Sequence, residues 1–260
     1  MNFANSSPDT GGSTVTITRV AETQWHAVAD DLVVGRAEAS RRPDGRVFLS
    51  IDAWHEAVFD RLAEAMVPNL PTPLHTIVDE VDIDLRTAWE RAGFTAGRRE
   101  WEYLVSTDPR VAGRGAATDL GEVIVLPLGA LPEEPLLQAY NMIRAEVGPD
   151  RMPVEITDCR GGAAIDPARY AVADRSGDIV GLLRIVSRRR HARIEFVAVR
   201  AGHRRRGIAR ALLTGVLDEL HRSGIGTVSA YVDAGNTAAV ALFDGLAGRR
   251  AGSNIELVLR

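Results

Sequence analysis

The stretch that most constrains the fold is Ile194 to Arg210, IEFVAVRAGHRRRGIAR. Ile194 to Val199 is a short apolar run rich in β-branched residues, which predicts a strand. A turn with Ala201 and Gly202 follows, then an arginine-rich loop. Ile208, Leu212, Leu213, Val216, Leu217 and Leu220 then recur at three- and four-residue spacing, the pattern of an amphipathic helix. A helix start has free N–H groups and partial positive charge, so a strand, basic loop and helix in series make a place for phosphate. Gly207 allows close approach of a ligand to the backbone, and the arginines add charge-assisted bonds to phosphate oxygens.

The flanking sequence extends this unit. After Ser223-Gly224 a second strand is predicted over Thr227 to Val232. Gly235-Asn236-Thr237 then opens a helix through Leu242 and Phe243. Arg204, Gly207 and Ala209 fit the pattern Arg/Gln-x-x-Gly-x-Gly/Ala. With Asn236 and the Leu242-Phe243 pair, the region from about Gly121 to Arg260 resembles the GNAT superfamily of N-acetyltransferases.

That resemblance implies acetyl-CoA as co-substrate. In the family the central strand splays from its neighbour, and backbone groups in the gap pair with pantetheine and the acetyl carbonyl; Val197, Ala198 and Val199 take that part here. Arg204, Arg205, Arg206, Gly207, Ile208, Ala209 and Arg210 form the phosphate loop and helix start. Asn236 is assigned to the pantetheine arm, and Phe243 lies at the position where many members carry a tyrosine that protonates the leaving thiolate. Phenylalanine has no such proton, so either another group such as Tyr231, Tyr140 or water supplies it, or that step needs no acid. Glu195 is the candidate base. In unbroken alternation it shares a strand face with Val197 and Val199, and a charge inside IEFVAV is unexpected in a buried strand. The alternative for Glu195 is a salt bridge to Arg184 or Arg193. His203 reads as a loop residue. Arg188-Arg189-Arg190 is either a solvated turn or a lining for the CoA phosphates.

The first half reads as strand Val15 to Val20, helix Gln24 to Ala39, turn at Pro43 and Asp44, and strand Val47 to Ile51. A helix through Val58, Leu62 and Met66, a strand Leu74 to Asp79, a helix around Leu85 to Ala92 and a strand Trp101 to Ser106 follow. Thr87 to Phe94 echoes Ala241 to Gly248, which suggests an internal repeat. Where the second half has its phosphate loop, the first has Asp52-Ala53-Trp54-His55-Glu56. The expected architecture is therefore α/β, two GNAT-like domains in tandem, each a mixed sheet flanked by helices. The divisions are a disordered tail at 1–13, a degenerate domain at 14–107, a linker at 108–119 and an acetyl-CoA domain at 120–260, whose sheet Asn254 to Leu259 closes. The irregular stretch Asp150 to Pro167, with Glu155, Asp158 and Cys159, is expected to shape the acceptor site.

Composition narrows the function. All 31 basic residues are arginine, yet the net charge is −4, which disfavours a dedicated nucleic-acid binder and suits a cationic, amine-bearing small molecule. Neither a long apolar run nor a signal peptide is present. A single cysteine suits a reducing cytoplasm. No His/Cys/Asp spacing suggests a metal. The expectation is an acetyl-CoA-dependent N-acetyltransferase, monomer or homodimer, acting on a primary amine of a small molecule. A CoA-binding sensor without transferase activity and a protein acetyltransferase are the rivals.

Overall fold

The computed structural model describes residues 14–42, 45–112, 119–148, 165–188 and 191–260. Cys159, Glu155 and Asp158 lie outside them, as do the tail at 1–13 and Arg189 and Arg190. In chain order the elements are β1 (Thr16–Ala21), β2 (Gln24–Ala29), β3 (Leu32–Arg41), β4 (Val47–Ala53), α1 (Glu56–Met66), β5 (Leu74–Asp79), α2 (Ile83–Arg91) and β6 (Thr95–Ser106). There follow β7 (Val123–Leu126), α3 (Glu133–Val147), β8 (Tyr170–Arg175), β9 (Asp178–Arg188), β10 (His191–Val199), α4 (Ile208–Arg222), β11 (Thr227–Asp233), α5 (Thr237–Asp244) and β12 (Arg249–Leu259).

The helix expected over Gln24 to Ala39 is instead the hairpin β2–β3. Asp30 and Asp31 both have positive φ, 48° and 60°, the backbone of the tight turn that matches strand twist. Trp25, Ala27, Ala37 and Ala39 alternate into the core. Alanine has the highest helix propensity, and here tertiary burial of alternate residues overrides it. A Cβ at Gly35 would sit 2.8 Å from Val58 and 2.9 Å from Leu62, so α1 lies close on this hairpin.

Two compact units result: Met1–Arg99 with Ser253–Arg260, and Glu100–Gly252. The expected linker at 108–119 falls inside the second unit, and so does Thr107 before it. Thr107 is fully buried there, with its backbone and hydroxyl bonded to Gly226 and Ile225. The first unit orders its strands β1-β2-β3-β4-β5-β12 and is parallel only between β4 and β5. The second orders β6-β11-β10-β9-β8-β7 and is parallel only between β10 and β11. The last strand joins the first unit: Asn254 to Leu259 pair with Asp79 to Leu74 of β5. Glu100 to Ser106 of β6, from the first half of the sequence, pair with Asp233 to Thr227 of β11. Each unit is completed by a strand from the other half.

The repeat is written into the turns. Asp82 caps α2 by accepting from Leu85 N, and Asn236 caps α5 by accepting from Ala239 N. Phe94 N donates to Trp89 O after α2, and Gly248 N donates to Phe243 O after α5. One offset of 154 residues, from 82 to 236 and from 94 to 248, relates both pairs. The second unit has two cores. Ala192, Ile194, Val228 and Ala230 pack with Leu212, Leu213 and Val216 of α4. Phe196 and Leu182 pack with Leu136, Tyr140 and Ile143 of α3.

Candidate functional site

The central strand β10 pairs with β9 along its length. Its parallel pairing with β11 covers only Ala192 to Ile194 against Val228 to Ala230. From Glu195 onward the edge of β10 toward β11 has no strand partner among the described residues, so Val197, Ala198 and Val199 border a gap whose backbone groups can bond an extended ligand. The register shifts between Ile194 and Phe196, a β-bulge at Glu195. The bulge breaks the expected alternation. Val197 and Val199 pack on the α4 core together with Ala192 and Ile194; Glu195 does not share their face.

Beyond Val199 the chain makes a short 3-10 turn, Ala201–His203, and then the arginine loop. Arg204 Nε donates to Val199 O at 2.9 Å and ties the loop back to the strand. Arg205 and Gly207 have φ of 64° and 82°, left-handed backbone of the kind that points N–H groups at an anion. Gly207 caps α4 and, being glycine, brings no side-chain bond to the helix start. The α4 face is the expected one, Ile208, Leu212, Leu213, Val216, Leu217 and Leu220 all being buried. Ile208 therefore offers a ligand only its backbone, while Arg204, Arg205 and Arg206 are exposed. Arg210 is directed elsewhere: its guanidinium donates to Gly245 O at 3.0 Å.

The loop is anchored from outside. Arg200 Nε donates to Glu146 Oε1 at 3.1 Å, and its Nη1 donates to Asp178. The other Glu146 oxygen accepts from Ala201 N at 2.7 Å. The Ala201 backbone bond, and then Arg200, hold the Glu146 carboxyl below its ordinary value of 4.5.

Midway along β10, the Glu195 side chain is 3% exposed and ion-paired with both Arg184 and Arg193, the latter at 2.9 Å. Both its oxygens accept from guanidiniums, the arrangement opposed to the base reading. Tyr231 is 42% exposed on β11 and not part of the core. It alternates with Ser229 on the face away from Val228, Ala230 and Val232. Tyr140 is fully buried, edge-on to Tyr170, and serves packing. Asn236 spends its side-chain oxygen on the α5 cap.

Phe243 is 2% exposed, its ring 5.5 Å from that of Tyr103. Tyr103 OH donates to Asp244 at 2.7 Å and accepts from Arg250 Nε at 2.8 Å. Burial, and then the bond to Asp244, push the Tyr103 hydroxyl above its ordinary value of 10.0. Sequence reasoning missed Tyr103 because its partners lie some 140 residues away. It also missed the cavity of about 580 Å³ whose wall includes Arg169, Arg184, His191, Arg193, Glu195 and Ser229. No local pattern assembles side chains from three strands and a turn.

Among the described residues no cluster of His, Cys, Asp and Glu could hold a metal ion. Among them too, no helix is long and apolar enough to cross a membrane.

Residues 134–247 match the model of the Acetyltransferase (GNAT) family. Two mycothiol acetyltransferases, from Streptomyces avermitilis and Streptomyces coelicolor, are each 30% identical over 94 residues. That stretch is 35% of this chain and only 30% of the length of those relatives. A GCN5-related N-acetyltransferase from Sphaerobacter thermophilus superposes with a TM-score of 0.68 at 18% identity, covering 93% of this chain and 82% of that one. The tandem GNAT protein from the clavulanic acid biosynthesis pathway gives 0.66 at 13% identity, covering 91% and 82%. These two likenesses concern the fold.

Proposed function

Residues 134–247 are a domain of the acetyltransferase (GNAT) family, and from that premise we propose that the chain moves the acetyl group of acetyl-CoA to a primary amine of a small molecule. The observation that carries the proposal is β10 with a strand gap at Val197 to Val199 and a helix start whose cap, Gly207, has no side chain, in one continuous run. A carrier with a phosphorylated end and an extended amide arm fits that run. The phosphates meet the N–H groups of the Gly207 turn and the exposed Arg204, Arg205 and Arg206. The arm lies along the free edge of β10. Acetyl-CoA supplies an activated thioester: the amine nitrogen bonds to the acetyl carbon, the carbon–sulfur bond breaks, and the amine proton ends on the released thiol. The chain's part is to hold both reactants in line and to exclude competing geometry.

The assignment is tested by thiol release with an amine panel beside the Gly207→Val variant. Valine is strained at φ of 82° by about 1–2 kcal/mol, and its side chain occupies the space the phosphates need. The expected result is at least 100-fold weaker acetyl-CoA binding in a folded protein. Unchanged affinity by calorimetry would remove the loop from the proposal. A CoA-binding sensor is the second reading, favoured by Phe243 in place of a tyrosine and by the double ion pair of Glu195. It predicts tight CoA binding with no acceptor consumed.

A further inference from the structure

The cavity at Glu195 lies on the sheet face away from α4, because Ala192, Ile194, Val228 and Ala230 alternate with Arg193, Glu195 and Ser229 and take the α4 side. It begins where the β10–β11 pairing ends, at the opposite end of β10 from the arginine loop. Five residues of strand separate Glu195 from Arg200, about 17 Å at ~3.3 Å per residue. A carrier fixed at the loop and running back along β10 therefore presents its far end beside this cavity.

The wall of the cavity is unusual in its charge. Arg169, Arg184 and Arg193 face one carboxylate, Glu195. Glu195 is shared by Arg184 and Arg193, and Arg169 pairs with Asp166 at 3.0 Å. Among the described residues the wall thus brings three guanidiniums together with the carboxylate of Glu195, and Asp166 beside Arg169. Arg184 is 87% buried on its side chain, being 13% exposed. It is held by Glu195 and lies 5.9 Å from the Tyr170 ring centre. Its Nε is a buried donor with no acceptor among the described residues. A buried donor left unpaired costs free energy. The fixed planar guanidinium is suited to an oxyanion rather than to a hydroxyl or an ammonium.

We propose that the acceptor amine carries an oxyanion, a carboxylate or phosphate group, which seats in this cavity against Arg184 and Arg193. The proposal rests on the transferase reading above for the word acceptor, but the anion site itself does not. It reverses the expectation of a cationic substrate drawn from the net charge: the whole chain is acidic, while this cavity is basic.

The test compares matched amines that differ only in the anion: glycine with glycinamide, and 2-aminoethyl phosphate with ethanolamine. In the intact chain with saturating acetyl-CoA, at least one anionic member should exceed its neutral partner about tenfold or more in kcat/KM, the order of one charged hydrogen bond. The better of the two anionic members identifies carboxylate or phosphate. Glycolate, which has a carboxylate and no amine, should compete with the acceptor and not with acetyl-CoA. Arg193→Gln and, separately, the more exposed Arg169→Gln should shrink the anionic preference several-fold, mainly through KM, with melting temperature and acetyl-CoA affinity retained. Equal use of anionic and neutral partners, or preference for the neutral ones, overturns the oxyanion site and leaves the transferase reading standing. If no amine is consumed although acetyl-CoA binds, the transferase reading fails. Calorimetry of glycolate and phosphate on the wild type and Arg193→Gln then decides the cavity: binding weakened in the variant supports the anion site, and binding that is absent or unchanged overturns it.

Discussion

Glu195 shows how one residue can be noticed in a sequence while its role is left open by it. A carboxylate inside IEFVAV is conspicuous, and both of its partners, Arg184 and Arg193, are nameable from the sequence. What decides between base and ion pair is the bulge, which sets Glu195 beside Arg184 across the β9–β10 ladder. A bulge leaves no mark in a run of apolar residues. The consequence is a stability effect. Glu195→Gln removes one charge of a buried pair and leaves Arg184 uncompensated, a change that costs about 3–5 kcal/mol. The midpoint of urea unfolding should fall accordingly. An unchanged midpoint with kcat lowered across neutral pH would restore Glu195 as the base. Tyr103 is the converse case. Nothing near it in the sequence announces a role, because its hydroxyl gains meaning only beside Asp244, Arg250 and the Phe243 ring.

Among the elements, those with a strong period were legible. The α4 face and β5 follow from spacing alone. The β2–β3 hairpin was not, because two aspartates with positive φ replace the glycine that marks such turns. The clamp on the phosphate loop was also invisible, since it joins the end of α3 to β9 through Arg200. Its role can be measured. Glu146→Gln loses the ion pair and weakens the acceptor of Ala201 N, so the loop entrance loosens and acetyl-CoA affinity should drop several-fold. In the parent the Glu146 carboxyl is held below 4.5. A depressed carboxyl stabilises the fold above its unfolded value, and that contribution disappears as pH falls through the folded one. Melting temperature should therefore decline more steeply below pH 4.5 in the parent than in Glu146→Gln; parallel curves would show the clamp to be inert.

At the scale of the whole molecule the two halves share cap and turn chemistry at one offset, but not the connection that binds. Residues 54–55 alone link β4 to α1, whereas residues 200–207 link β10 to α4. The short link has no room for a phosphate-binding turn, and Trp54 on it is exposed. One acetyl-CoA per chain is the expected stoichiometry by calorimetric titration; two equivalent sites would contradict it. The exchange of last strands makes a separate demand. Removing Ser253 to Arg260 should unfold the first unit, whose strand β5 loses its partner, before it disturbs the second; hydrogen exchange of amides in β4 and β5 against those in β9 and β10 reads the difference. The exchange also sets a timetable. On the ribosome, residues 14–99 emerge early yet keep an open β5 edge until residues 254–259 have been made. The first unit to be synthesised is thus the last to be completed, and an exposed edge waits through translation of more than half the chain.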